Sequence, residues 1–337
     1  MNSWLPALAE TLTRGQAAVL VTVVHTVGST PREAGATMLV GAAASLGSIG
    51  GGQLEWLASG AARALLEVGG PPRLLRIALG PSLGQCCGGI VWLVIERIDP
   101  PEAAAWQARA ASLAAGQALQ RRIAEGDPAS VWQAIAHPGG NKALLQVRGA
   151  RWTFTQQIGA DAFPVLIFGA GHVGTATVHA LAPLGARITW VDGRDDIFPA
   201  SLPPGVEAVA TDTPTSEVRA APPGSYFLVM THSHTLDFSI CEAIFERHDF
   251  AWFGLIGSAS KRASFNRQFT ARGLPPLRLA DLTCPIGIAG IRSKHPAAIA
   301  ASVAAQLLQI REARAAIRHA AHPGPDAPPL SSMPRPQ

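Results

Sequence analysis

Residues 164 to 196, PVLIFGAGHVGTATVHALAPLGARITWVDGRDD, constrain the fold of this chain more than any other stretch. They read as an apolar strand, a Gly-rich turn, a helix, a second strand and a closing carboxylate, the order of a nucleotide-binding βαβ unit. In such a unit each glycine has its own steric task. Gly169 makes the tight turn, Gly171 lets backbone approach a phosphate, and Gly174 lets the helix close on the sheet. The helix starting near His172 offers unpaired N–H groups and the positive end of its dipole, worth about 0.3–1 kcal/mol to an anion. Asp192 follows Gly171 by 21 residues, where a ribose hydroxyl is expected.

At 337 residues the chain has room for two domains, and 48% hydrophobic against 15% charged residues marks it as globular. The predicted order is an N-terminal α/β domain over 1–158, a Rossmann-like domain over 159–320 and a disordered Pro-rich tail over 321–337. In the first domain the pattern predicts a helix at 4–14, strands at 17–25, 36–40, 72–79 and 89–98, and a glycine-led helix ending near Val68. An Ala-rich helix follows over about 101–125, then a hairpin of ALLQV and RWTFTQQ. Later strands at 207–210, 226–230 and 252–257 alternate with helices near 237–247 and 296–314, which implies a doubly wound parallel sheet. A formal charge of +4 with basic residues only in pairs argues against a nucleic-acid surface. No apolar run approaches the length of a membrane span and no signal-like N-terminus is evident, so a cytoplasmic protein with four cysteines as thiols is expected.

Several polar groups are placed to meet a ligand. Gln85, Cys86 and Cys87 lie on a glycine-flanked turn between strands. One reading makes one thiol a small buried hydrophobe and the other incidental; the second makes a thiolate that binds a soft metal or carries sulfur. Their adjacency does not match a zinc knuckle. His232 and His234 follow an apolar strand, at the carboxyl end of the sheet, but Leu236 and Phe238 break the pattern of a binuclear metallohydrolase. Ser258 and Lys261 form a polar rim after another strand. In the first domain, Arg32 in the STPR loop and Gly50, Gly51 and Gly52 make two loops able to hold an anion, with Glu55 complementing the dipole of the next helix.

Taken in order, GSTPREAGATM, GSIGGGQLE, LGPSLGQCCGG, GAGHVG, MTHSHTLD, GLIGSASKR and CPIGIAGIRSKHPAAIAASVAAQLL resemble the XdhC/CoxI family over roughly residues 15 to 310. These are accessory proteins of molybdenum hydroxylases such as xanthine dehydrogenase, an enzyme of purine catabolism. The resemblance implies a chaperone that binds molybdenum cofactor in its molybdopterin form, supports its sulfuration with a cysteine desulfurase, and inserts it into apo-xanthine dehydrogenase or a related recipient. It implies contact with upstream molybdenum cofactor biosynthesis proteins and a carrier role without turnover of its own. A homodimer is compatible with small-residue helices. Cys86 and Cys87 match as a molybdenum or sulfur contact; the glycines of the turn match as phosphate contacts, and the turn is also open to a separate nucleotide. Two other readings stand beside this one. An NAD(P)-dependent oxidoreductase uses the same turn and acid, with His232 as its candidate acid or base. A regulatory nucleotide-binding module is the other, and it predicts indifference to changes at the two thiols.

Overall fold

A computed structural model of the protein describes residues 4–80, 88–136, 143–149, 151–159 and 163–321. The chain divides into two units, Asn2–Ala160 and Asp161–Arg318.

The first unit begins with α1 (Trp4–Thr13), β1 (Ala18–Val27), β2 (Thr37–Val40), β3 (Ser45–Gly47), α2 (Gly52–Val68), β4 (Arg73–Ala78) and β5 (Ile90–Ile98). It continues with α3 (Ala103–Ala114), β6 (Ala118–Ala124), β7 (Val131–Ile135), β8 (Ala143–Arg148) and β9 (Arg151–Ile158). Its strands form two antiparallel sheets, in the orders β3-β2-β1-β5-β4 and β7-β6-β9-β8. β1 is buried on both sides. Val19, Val21 and Val23 meet Leu54, Ala58 and Leu65 of α2, while Leu20 points into a cluster with Leu5, Leu8 and Trp106 of α1 and α3. That two-sided burial is why β1 reads as a continuous β-branched run rather than an alternating one.

The second unit contains β10 (Phe163–Phe168), α4 (His172–Leu181), β11 (Ala186–Asp192), β12 (Val206–Ala210), α5 (Pro214–Ala220), β13 (Tyr226–Val229) and α6 (His234–Phe245). Then come β14 (Trp252–Leu255), α7 (Ala259–Ala271), α8 (Pro276–Leu279), β15 (Leu282–Thr283) and α9 (Pro296–Ala321). All six strands are parallel, in the order β12-β11-β10-β13-β14-β15. The chain therefore winds outward one way from β10 and the other way from β13, and the crevice between those two strands is the switch point at which such sheets bind ligands. One face packs α5, α6 and α7 through residues such as Val218, Ile244 and Phe269; the other packs α4 and α9 through Val178, Leu181, Val303 and Leu307. Cys241 is fully buried in the first of these clusters.

The Ala-rich stretch departs from expectation. The helix ends at Ala114, Gly116 turns the chain at a φ of 84°, and Ala118–Ala124 is the strand β6, paired with both β7 and β9. β3, β7 and α7 are likewise elements that the hydrophobic pattern does not announce. The 321–337 tail, apart from Ala321, lies outside the described residues.

Candidate functional site

At the switch point the glycine turn has the geometry its sequence requires. Gly169 sits at a φ of 114°, and its N–H donates to Val191 O at 2.8 Å. A Cβ there would run into the carbonyl of Met230, because the end of β13 passes directly alongside. At Gly174 a Cβ would collide with Gly169 O, which already accepts the Trp190 indole N–H at 3.1 Å. Gly171 differs from both. Its φ of −73° suits any residue, and among the described residues no atom lies within 4 Å of its Cβ position and no side chain caps the helix it begins. The first N–H groups of α4 thus have no side-chain cap, and the Cβ position at Gly171 beside them is open, features that a phosphate site at a helix N-terminus uses.

Asp192 ends β11 as expected, but its carboxylate is already engaged. Oδ2 accepts from Ala170 N–H at 2.7 Å and Arg194 Nη2 at 3.1 Å, and Oδ1 from Arg194 N–H at 3.1 Å and Nε at 2.9 Å. Burial alone would push this carboxyl upward, yet the Arg194 and backbone hydrogen bonds outweigh it and hold the pKa below the usual value. Asp192 therefore pins the glycine turn to β11, and Arg194, its side chain 49% exposed, is the group presented to solvent there.

One strand over, beyond β13 and β14, lies a cavity of about 890 Å³. It collects His232, His234, Ser258 and Lys261, four residues singled out from the sequence. Lys261 belongs to a pair the sequence did not reveal, its partner Asp237 lying behind the cavity wall rather than in it. Asp237, fully buried in the first turn of α6, accepts from Thr231 N–H and Oγ1 through Oδ1, and from Lys261 Nζ at 2.6 Å through Oδ2. Lys261 Nζ also donates to Ile256 O at 2.9 Å. Ser233 and Ser258 cap α6 and α7, accepting from Leu236 N–H and Lys261 N–H.

In the first unit the expected anion loops do come together. Gly89 N–H donates to Ser29 O, a Cβ on Gly50 would strike Pro31, and Arg32 Nη1 donates to Ser48 O at 3.2 Å. What fills the nest is the chain's own carboxylate. Glu55 Oε1 accepts from the N–H groups of Ile49, Gly50 and Gly51 at 2.9–3.2 Å and from Ser48 Oγ at 2.6 Å. Arg32 is paired with Glu33. Hence Arg32 and the Gly50–Gly52 loop form a structural clasp with Glu55 as its internal anion, where an external ligand was expected. Burial raises the Glu55 pKa, and the Ser48 and backbone bonds more than reverse that, leaving it below the usual carboxylate value. Replacing Glu55 by Gln should speed hydrogen exchange at Ile49, Gly50 and Gly51 by about tenfold near neutral pH, because charge-assisted bonds become ordinary ones. A carboxyl with a depressed folded pKa stabilises above its unfolded pKa and loses that effect as pH falls through the folded one. The gap between wild type and Glu55→Gln should accordingly close below about pH 4.

Gln85, Cys86 and Cys87 lie outside the described residues. Among the described residues no cluster of three or more His, Cys, Asp or Glu is able to hold a metal ion, and no helix is long and apolar enough to cross a membrane.

Comparison with known proteins agrees with this architecture. The chain is 30% identical over 198 residues to the Escherichia coli K12 protein YqeB, a match that takes in 58% of this chain and 35% of that protein, so the chain spans only about a third of its relative. A crystal structure described as a xanthine dehydrogenase from Bacillus halodurans superposes with a TM-score of 0.71 at 22% identity, covering 92% of this chain and 96% of that one, and so shares the fold. The model of the XdhC and CoxI family matches residues 11–78, and that of the XdhC Rossmann domain matches residues 165–307. With both characteristic segments present in order, the chain belongs to the XdhC and CoxI family.

Proposed function

We propose that this protein is an accessory factor of a xanthine dehydrogenase-type molybdenum hydroxylase, which holds molybdenum cofactor in its molybdopterin form and passes it to the recipient enzyme. The observation that carries the reading is the open glycine turn, with an uncapped α4 N-terminus and free space at Gly171. Molybdopterin is an anionic, phosphate-bearing molecule with a soft metal–dithiolene centre. Its phosphate suits the α4 N-terminus beside Gly169 and Gly171, and His232, Ser258 and Lys261 supply polar contacts one strand away. Cys86 and Cys87 supply the soft sulfur ligands that such a metal prefers and are the candidates for receiving sulfur from a cysteine desulfurase. The bound cofactor brings the hydroxylase its molybdenum chemistry; this chain binds, orients and releases it in the cytoplasm, with upstream biosynthesis proteins as donors. Release sets a limit on affinity. Binding of roughly micromolar strength, about −8 kcal/mol, retains the cofactor yet yields it to an enzyme that buries it.

The dehydrogenase reading keeps His232 beside the cavity but loses its ribose acid, since both oxygens of Asp192 are occupied by Arg194 and Ala170. Titration of the purified chain with isolated molybdopterin cofactor, with NAD as competitor, separates the two. Saturable pterin binding untouched by NAD is expected; NAD binding with turnover of a nicotinamide substrate and no pterin binding would replace the proposal. Changing Cys86 or Cys87 to Ser is expected to reduce sulfuration of the recipient's cofactor while leaving the melting temperature unchanged, and full sulfuration by the double variant would remove the thiols from the mechanism.

A further inference from the structure

We infer that the cavity at the carboxyl ends of β13 and β14 is a phosphate site in its own right, anchored by Lys261, with Asp237 as the residue that positions that lysine. It neighbours the glycine turn, but the inference does not rest on molybdopterin being the ligand.

The first reason is the Asp237–Lys261 pair. Asp237 is fully buried and the Lys261 side chain is 10% exposed, so both charges have lost most of their water. Burying an ion pair costs more in desolvation than it returns unless the geometry is very good, so the pair by itself does little for stability. An ammonium has three donors. Two of them go to Asp237 and to Ile256 O, and Lys261 lines the cavity, so the third remains for whatever enters. Asp237 is held from the other side by Thr231 N–H and Oγ1, which fixes the carboxylate and through it the lysine.

The second reason is the sign of the walls. Among the described residues lining the cavity none carries a carboxylate, whereas Lys261, Arg272 and Lys294 are cationic. Arg272 is paired with Glu242, but Lys294 is exposed and has no hydrogen-bond or ion-pair partner among the described residues. First-turn residues of α6 and α7, helices of 12 and 13 residues capped by Ser233 and Ser258, line this side, and Ser258 and Ser260 add hydroxyls 2.8 Å apart. Donors of three kinds around an acid-free space match a group with several acceptor oxygens, which is a phosphate.

The third reason is size. A volume of about 890 Å³ far exceeds a free phosphate, and Phe238, Phe265 and Ile299 form an apolar wall beside the cations. The class of ligand that uses both halves is an organic phosphate with a planar or apolar body.

The test is titration of the full chain with inorganic pyrophosphate, read by calorimetry and by phosphorus NMR at constant ionic strength. It is run on wild type and in a Gly171→Ala background, which closes the glycine turn. In that background saturable binding should persist, Lys294→Ala should weaken it about tenfold, and the double variant Asp237→Asn with Lys261→Met should remove it. The double variant removes both members of the pair, so no lone buried charge is left to unfold the chain, and its melting temperature confirms that. Pyrophosphate binding lost in Gly171→Ala alone, or unchanged by the Lys294 and Lys261 variants, would overturn the inference. A chain that ignores molybdopterin yet binds pyrophosphate through Lys261 would retain this site and lose the cofactor proposal, and the converse outcome would do the opposite.

Discussion

Gly174→Ala is expected to destabilise the Asp161–Arg318 unit by about 3 kcal/mol or more, whereas Gly171→Ala, three residues earlier in the same motif, leaves it folded and removes its ligand. The two glycines look alike in sequence and face different surroundings. A methyl at Gly174 points at Gly169 O, a backbone atom held in place by the Trp190 indole and by the tight turn, so neither partner has room to yield. Relief would need α4 to lift off the sheet, opening the packing of Val178 and Leu181 against Val165 and Ile167. At Gly171 the backbone is already in a region open to alanine, and none of the described residues lies within reach of the added carbon. Loss of glycine's unfolded-state freedom, worth about 0.4–1 kcal/mol, should offset glycine's advantage over alanine at this N-cap. What the methyl occupies is the space in front of the α4 N-terminus. Molybdopterin binding should weaken about a hundredfold, or ~2.7 kcal/mol, with the melting temperature close to wild type. Thermal melts and titrations of both variants check this, and a Gly171→Ala protein that binds as wild type does would mean that the phosphate lies elsewhere.

The second unit was legible because the physics behind it is local. Strands buried on both faces become uninterrupted apolar runs, as at Val165–Phe168 and Tyr226–Val229, and the turn between β10 and α4 demands glycines at fixed offsets. The same logic singles out His232, Ser258 and Lys261, since each follows such a strand, and the structure brings the three to one cavity. Side-chain pairing across long separations left no comparable trace. Asp237 looks like a first-turn acid complementing a helix dipole, and only the fold brings Lys261, 24 residues on, to its other oxygen. Glu55 looks the same, yet it is the anion of the Ser48–Gly51 nest. Asp192 was placed correctly at the end of β11, but its capture by Arg194 depends on a side-chain orientation that spacing does not encode. The Ala118–Ala124 strand failed for a related reason. Its inward positions include Arg121, and a buried arginine reads as surface, which hides the alternation of a strand within an Ala-rich helical pattern.

That same arginine carries the largest stability effect expected in the first unit. Arg121 is wholly buried, as are Glu96 and Thr22; its guanidinium donates to Glu96 Oε2 at 3.1 Å and to Thr22 Oγ1 at 3.0 Å. The other Glu96 oxygen accepts from Ser130 N–H at 3.2 Å. Since Thr22 and Glu96 belong to β1 and β5 and Arg121 to β6, the network joins the two sheets through a layer otherwise filled by Val24, Trp92, Ile123 and Phe154. Arg121→Met should cost about 3–5 kcal/mol, because it strands a carboxylate that has given up its water, and Glu96→Gln should cost a comparable amount, because it leaves the buried Arg121 guanidinium without a counter-charge. Changing both residues, Arg121→Met with Glu96→Leu, should recover most of the loss and leave a deficit of about 1–3 kcal/mol from the orphaned Ser130 N–H. The double-mutant cycle by denaturant unfolding measures the coupling directly. A coupling near zero would mean that the pair is spectator to stability. A large coupling combined with a double variant of near-native stability but altered hydrogen exchange in β6 would locate its value in registering one sheet on the other, since an apolar substitute packs as well but allows the facing strands more than one alignment.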